Sequence, residues 1–168
     1  MQFMEKMEAD LPECLFDAGL FIGALLDDDP RHLEAFPLVT DAVAGKIHVC
    51  TTSSVLSEVY AALTWHLAQP PHTPQEAAKI MSALIKLPSA IRILPDSPET
   101  SLKMLELAAA HNLTARRIHD ARHAAAAIVA GVSEVYTYDV EDWKAFQSDG
   151  LAVVGPASSL QRLNAIIP

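Results

Sequence analysis

Five acidic residues have the type and placement to do chemistry: Asp17 closing ECLFD, Glu58 in TTSSVLSEVY, Asp120 in RRIHDARHAAAAIVAG, and Asp139 and Asp142 in VYTYDVEDW. Carboxylates converging from separate chain segments repel one another and rise in pKa unless a divalent cation neutralises them. An oxygen-only set of ligands favours Mg2+ or Mn2+ over zinc. Such an ion lowers the pKa of bound water and stabilises charge on phosphoryl oxygens, so the reaction these residues suit is hydrolysis of a phosphodiester.

Each acid also has an ordinary explanation. Glu58 falls early in a helix, where the macrodipole favours an anion, and points away from the stripe of Leu56, Val59, Tyr60, Leu63 and Leu67, as a solvated residue would. Asp120 shares a face with Ala124 and Ala127, where an ionised carboxylate needs a partner; Arg116, one turn earlier, is a candidate. Asp142 reads either as a fifth ligand or as the cap of a helix beginning near Trp143. In LLDDDP, Asp27, Asp28 and Asp29 end one helix and cap the next.

Positioning the five acids requires a scaffold. Short apolar runs alternate with longer helical ones, the pattern of βα units around a parallel sheet. Strands are expected at 13–17, 46–51, 91–94, 134–138 and 151–154. Asp17 and Asp139 then fall just beyond the first and fourth, where open α/β sheets place their sites. Thr73-Pro74-Gln75-Glu76 has the cap, the proline and the returning Glu that begin a helix, here expected to run to about Leu87. Ser97-Pro98 opens another to about Ala110, and Ser53 or Ser54 caps the helix of VLSEVYAALTWHLA, which Gln69-Pro70-Pro71 stops. A buried helix is expected from about Ala115 to Ala130, ended by Gly131, with shorter helices over 30–43 and 157–167.

With 168 residues, 51% of them hydrophobic, the chain is expected to form a single domain over 1–168, with a core at about 13–155, a short N-terminal extension and a C-terminal helix. The polar start MQFMEKMEADLPE and the brevity of AAAAIVAGV as an apolar run point to a cytoplasmic protein without membrane contact. Cys14 and Cys50, in separate apolar runs, read as core thiols. A net charge of −9 argues against a broad basic face for nucleic acid, yet a cation among carboxylates and a few arginines can still bind phosphate. HDARH departs from the HExxH zinc pattern and offers no third ligand, so His119 and His123 read as ordinary helix histidines. Gly19, two residues after Asp17, removes the second Asp that an aspartate-nucleophile phosphatase would use, and no glycine-rich nucleotide loop is present. DDDPRHLEA lacks EF-hand spacing and reads as a solvated acidic turn.

From about Cys14 to Val154 the sequence resembles the PIN-domain ribonucleases, most closely the VapC-type toxins of bacterial toxin–antitoxin pairs. The resemblance rests on LFDAGLFIGALLDDDPRHLEA, TTSSVLSEVYAAL and above all RIHDARHAAAAIVAGVSEVYTYDVEDW, in which Asp-Ala, an Ala-rich helix, Gly, a strand and Thr-x-Asp follow in order. It implies a three-layer α/β/α fold with a parallel five-stranded sheet of order 3-2-1-4-5. It also implies an RNA endonuclease using Mg2+ or Mn2+. By the resemblance Asp17, Glu58, Asp120 and Asp139 are the acidic quartet, Asp17 and Asp120 foremost as metal ligands, with Asp142 and Thr137 at positions that are often acidic and hydroxylated. Gly19 stands where many members have Asn or Ser. Arg116, Arg117 and Arg122 are the expected contacts to the RNA backbone. The partners implied are a second copy of the chain and a small antitoxin that blocks the acidic pocket. The alternative is a PIN-like fold used as a non-catalytic interaction module, against which the retention of all four acids speaks.

Overall fold

The structure, a computed structural model, describes residues 12–166, so the expected N-terminal extension up to residue 11 and the last residue of the expected final helix lie outside the described residues. The strands are β1 (Cys14–Phe16), β2 (Val49–Thr52), β3 (Arg92–Leu94), β4 (Glu134–Tyr136) and β5 (Ala152–Gly155). They form one parallel sheet in the order β3-β2-β1-β4-β5. The helices are α1 (Ala18–Leu25), α2 (His32–Val43), α3 (Ser53–Thr64), α4 (Pro74–Ile85), α5 (Pro98–Ala110), α6 (Ile118–Val129), α7 (Val140–Trp143) and α8 (Ala157–Ile166).

The three layers follow from the period-2 alternation of the central strand, whose neighbouring side chains enter opposite cores. Cys14 and Phe16 pack with α1 to α4 on one face, while Leu15 packs with α5, α6 and the Trp143–Phe146 pair on the other. Both faces of β1 and β2 are buried, which explains why CLF and VCTT carry no charge. Cys14 and Cys50 are buried free thiols, as expected, and burial pushes each up to about 12. Among the described residues no helix is long and apolar enough to cross a membrane.

Several boundaries differ from the sequence-based expectation. Thr52 caps α3 in place of Ser53 or Ser54, because its hydroxyl accepts the Val55 N–H at 3.0 Å. That helix ends at Thr64, so Leu67 is exposed, and of the expected stripe only Val59 and Leu63 are fully buried, joined by Val55. Helix α4 shows the expected reciprocal cap of Thr73 and Glu76 but stops at Ile85, leaving Leu87 in solvent. Helix α2 starts at His32 without a side-chain cap, since Asp29 instead accepts the backbone N–H and the guanidinium of Arg31. Asp142 lies inside α7 and caps nothing.

Candidate active site

The carboxyl edge of the sheet gathers the aspartates. Asp17 follows β1 directly and is only 6% exposed. Its Oδ1 accepts the Ala18 N–H at 2.9 Å, and its Oδ2 accepts the Thr137 hydroxyl at 2.7 Å and the Trp143 indole N–H at 3.0 Å. A carboxylate has about four lone-pair positions, so one remains, on Oδ1. Thr137, just past β4, also accepts the Asp139 N–H at 3.0 Å, so one hydroxyl ties Asp17 to the turn that bears Asp139. The strands are too short to carry the site, and the site lives in the residues that follow them.

Asp120 reaches the same edge from the start of α6, the helix that runs back to feed β4. Burial and the charges of Asp142 and Asp17 push it up to about 6, against the pull of His123 and Arg117. Asp139 is raised by burial, Asp17 and Asp142, with Arg31 and Arg162 holding it back. The four aspartates from three chain segments therefore act on one another electrostatically. Arg116 is not the partner of Asp120: the guanidinium that acts on it is that of Arg117, which also lies 3.7 Å from Asp142. The 3-10 turn at Ala115–Arg117 that precedes α6 breaks the helical spacing on which the Arg116 pairing depended.

Glu58 is held separately. Its Oε1 accepts a hydrogen bond from His123 Nε2 at 2.7 Å, and His123 Nδ1 lies 3.3 Å from the Thr52 hydroxyl. His123 is 2% exposed. A neutral ring that gives its Nε2–H to Glu58 leaves Nδ1 to accept from the Thr52 hydroxyl, so one tautomer satisfies both contacts. Glu58 is linked to α6 through His123, which lies one turn beyond Asp120. The histidines of HDARH thus part company, His119 exposed and His123 buried as a link to Glu58.

Of the remaining basic residues, Arg122 pairs with Asp96 at 2.9 Å, and it borders, with Ser53, Ser57, His119 and Glu58, a small cavity of about 200 Å³. Arg116 is exposed and forms no salt bridge among the described residues. Sequence reasoning missed His123, Trp143, Arg31 and Arg162. His123 had a usable signal, its place three residues after Asp120 on the same helix. Trp143 had none, since its partner lies 126 positions away.

The donor set suits a hard divalent cation. It is all oxygen, and the raised Asp120 and Asp139 carry a repulsion that a bound cation would remove. Among the described residues no three His, Cys, Asp or Glu side chains enclose a volume fit for an ion as they stand. Asp142 is exposed, so its carboxylate has room to turn.

A parallel α/β sheet with acids gathered beyond its carboxyl edge defines the class of protein this is. The family model described as PIN domain matches residues 14–146, and the chain belongs to that family. Among solved structures, a crystal structure of Mycobacterium tuberculosis VapC20, described as a sarcin-ricin loop cleaving toxin, is 21% identical with a TM-score of 0.62, covering 85% of this chain and 99% of that one. The VapBC2 complex of Rickettsia felis bound to a DNA fragment from its promoter is 14% identical with a TM-score of 0.53, covering 79% of this chain and 91% of that one. At these identities the likeness establishes a shared fold. No curated protein matches the chain.

Proposed function

We propose that this protein is an endoribonuclease that hydrolyses RNA phosphodiester bonds with Mg2+ or Mn2+, and that it is the toxin of a toxin–antitoxin pair. The observation that carries the reading is the mutual charge of Asp17, Asp120, Asp139 and Asp142 at one edge of a PIN-domain sheet. Asp17 and Asp120 would hold the cation, with Asp139, Asp142 and Glu58 completing the set. The ion, when bound, activates water and neutralises the developing charge on phosphorus-bound oxygens.

The chain's own residues supply position. Thr137 and Trp143 occupy Oδ2 of Asp17 and leave its remaining acceptor direction on Oδ1 for a ligand. His123 holds the Glu58 carboxylate at the mouth of α3, where it can orient a water or hold a second cation. Arg116 and Arg117, in the turn before α6, and Arg122, within its first two turns, would meet the RNA backbone. The likeness to a toxin that cleaves a structured RNA loop makes such a loop a reasonable substrate to offer. The partners proposed are a second copy of the chain and a small antitoxin that places a basic side chain among the acids.

The test is cleavage of single-stranded and sarcin–ricin loop RNA by purified protein in Mn2+ or in EDTA, beside Asp17→Asn. Loss of a ligand should cost at least what loss of an outer-shell contact to a metal site costs, so the variant is expected to fall about 100-fold or more. Equal cleavage by both forms, or none by the wild type, refutes the reading; the second outcome leaves the fold as an interaction module.

A further inference from the structure

We propose that the cavity between Arg31 and Arg162 is an anion cradle that holds an RNA backbone phosphate next to the one being cut. The cavity has a volume of about 600 Å³, and Arg31, Glu34, Tyr138, Asp139, Ser158 and Arg162 are among its walls. It shares Asp139 with the acidic edge, so a strand threaded through that edge has only to continue past Asp139 to enter it. The inference rests on the ribonuclease reading and extends it to a substrate contact on the side opposite α6.

Both guanidinium groups are held in place before any ligand arrives. Arg31 donates from Nε and Nη2 to the two oxygens of Asp29, at 2.8 and 2.7 Å, and lies 5.3 Å from the centre of the Tyr138 ring. Arg162 donates from Nη2 to the Tyr138 carbonyl at 2.7 Å. One residue, Tyr138, therefore anchors both forks, one by its ring and one by its backbone. Side chains fixed in advance lose less entropy on gripping a ligand, and the planar fork of arginine matches phosphate oxygens.

Among the described residues, the two guanidinium groups keep N–H donors that no carboxylate takes up. Asp29 is taken up by Arg31, and Glu34 accepts the Ser158 N–H at 3.0 Å and its hydroxyl at 2.6 Å. Glu34 keeps its charge beside the neutral Ser158, and Asp139 is the other carboxylate of the lining, so the walls hold two guanidinium groups and two carboxylates and would grip an anion through free N–H donors, not through excess charge. Arg162 forms no salt bridge among the described residues, and Nη1 of Arg31 makes no hydrogen bond among them. Arg117 and Arg122, by contrast, each have a carboxylate partner.

Gly19 lies against both side chains. A Cβ there would stand 3.1 Å from Nη1 of Arg31 and 3.2 Å from Cδ2 of Tyr138, so a side chain requires the guanidinium or the ring to give by a few tenths of an ångström. Gly19→Ser is therefore a way to shift Arg31 or Tyr138 without changing the charge of the protein.

The experiment compares wild type, Arg31→Gln, Arg162→Gln, the double variant, Gly19→Ser and the remote control Lys86→Gln. Binding of a short fluorescent single-stranded RNA is followed over a salt series in EDTA, and cleavage kinetics in Mn2+. The double variant is expected to show a salt dependence shallower by roughly 0.7 in log–log slope, the value of one phosphate contact on a single strand. Its KM should rise about 10-fold, as for a contact made equally in the ground and transition states; because Arg31 and Arg162 also hold down the pKa of Asp139, kcat is compared at a pH high enough to ionise that carboxylate in every variant, where it should change little. Gly19→Ser should reproduce part of the KM rise, and Lys86→Gln none. Unchanged slope and KM in the double variant overturn the cradle while leaving the ribonuclease standing; a wild type that neither binds nor cleaves RNA overturns both. An acidic peptide bound in preference to RNA, and lost in the same variants, gives the cavity to a protein partner and overturns the RNA assignment. If Arg31→Gln fails to fold, Arg162→Gln on the exposed side of α8 and Gly19→Ser still decide.

Discussion

Helices α4 and α6 are both 12 residues long and begin in opposite ways. In α4 the Thr73 hydroxyl accepts the Glu76 N–H while the Glu76 carboxylate returns to the Thr73 N–H, so its first turn is satisfied from within. In α6 the residue at the cap is Arg117, which contributes no side-chain hydrogen bond, and the first turn carries Asp120 at a raised pKa. The chain leading into it holds Asn112 and Ala115 at φ of 51° and 49°, a backbone region that side chains disfavour. A self-sufficient helix start adds stability and offers nothing to a ligand. One that depends on other elements, and contains an unrelieved charge, is where a cation and a substrate have something to gain.

That contrast can be broken at its strongest joint by His123→Ala. Removing the buried ring leaves a cavity and strips Glu58 and Thr52 of their partner, an expected loss of about 2 to 3 kcal/mol in urea unfolding. His123→Gln, which can still donate to Glu58, should recover part of both the stability and the activity. A His123→Ala protein as stable and active as wild type would reduce α6 to a packing element like α4.

Asp120→Asn should act in the opposite direction. The pKa of Asp120 is raised from 3.8 to about 6 in the folded chain, so the folded state binds its proton more tightly than the unfolded state does. Its ionisation therefore costs nothing below the unfolded pKa, and the penalty grows as pH rises and is complete above the folded one. Allowing for solvent screening at this half-open position, the Asn variant is expected to be more stable than wild type by roughly 1 to 2 kcal/mol at pH 7.5 in EDTA. The gap should close near pH 4 in denaturation curves, and Mn2+ should narrow it at pH 7.5 by stabilising the wild type. A variant less stable than wild type at pH 7.5 would mean that Asp120 is already well paired within the chain.

The smallest effect is reserved for the self-sufficient helix. Thr73→Ala should cost about 1 kcal/mol through the lost cap and leave RNA cleavage as it was. A change in cleavage rate would mean that α4 takes part in the site after all.

The same contrast explains how far the sequence could be read. Thr73 to Glu76 encode their structure within four positions, and the cap was visible for that reason. The strands were located to within three residues at either end, and Asp17, Asp120, Asp139 and Asp142 came to the same edge of the sheet, as their place after strands or at a helix start implied. The Arg116–Asp120 pairing failed because helical spacing was assumed through a 3-10 turn. Thr52 was overlooked as a cap because the strand and the helix abut with no loop between them. Gly19 looked like a missing side chain, and in the fold it is room for Arg31.

By itself the sequence determined the βα rhythm, the starts of α4 and α5, the buried thiols and the acids beyond the strand ends, because each depends on neighbouring residues and on a periodicity that local backbone geometry imposes. Only the tertiary structure decided which donors those acids meet. Trp143 reaches Asp17 across 126 positions, His123 reaches Glu58 across 65, and Arg31 and Arg162 each reach Tyr138, one at its ring and one at its carbonyl. Such contacts are chosen when the two cores close on the sheet, and a hydrogen-bond donor far along the chain leaves no periodic trace of the acceptor it will find.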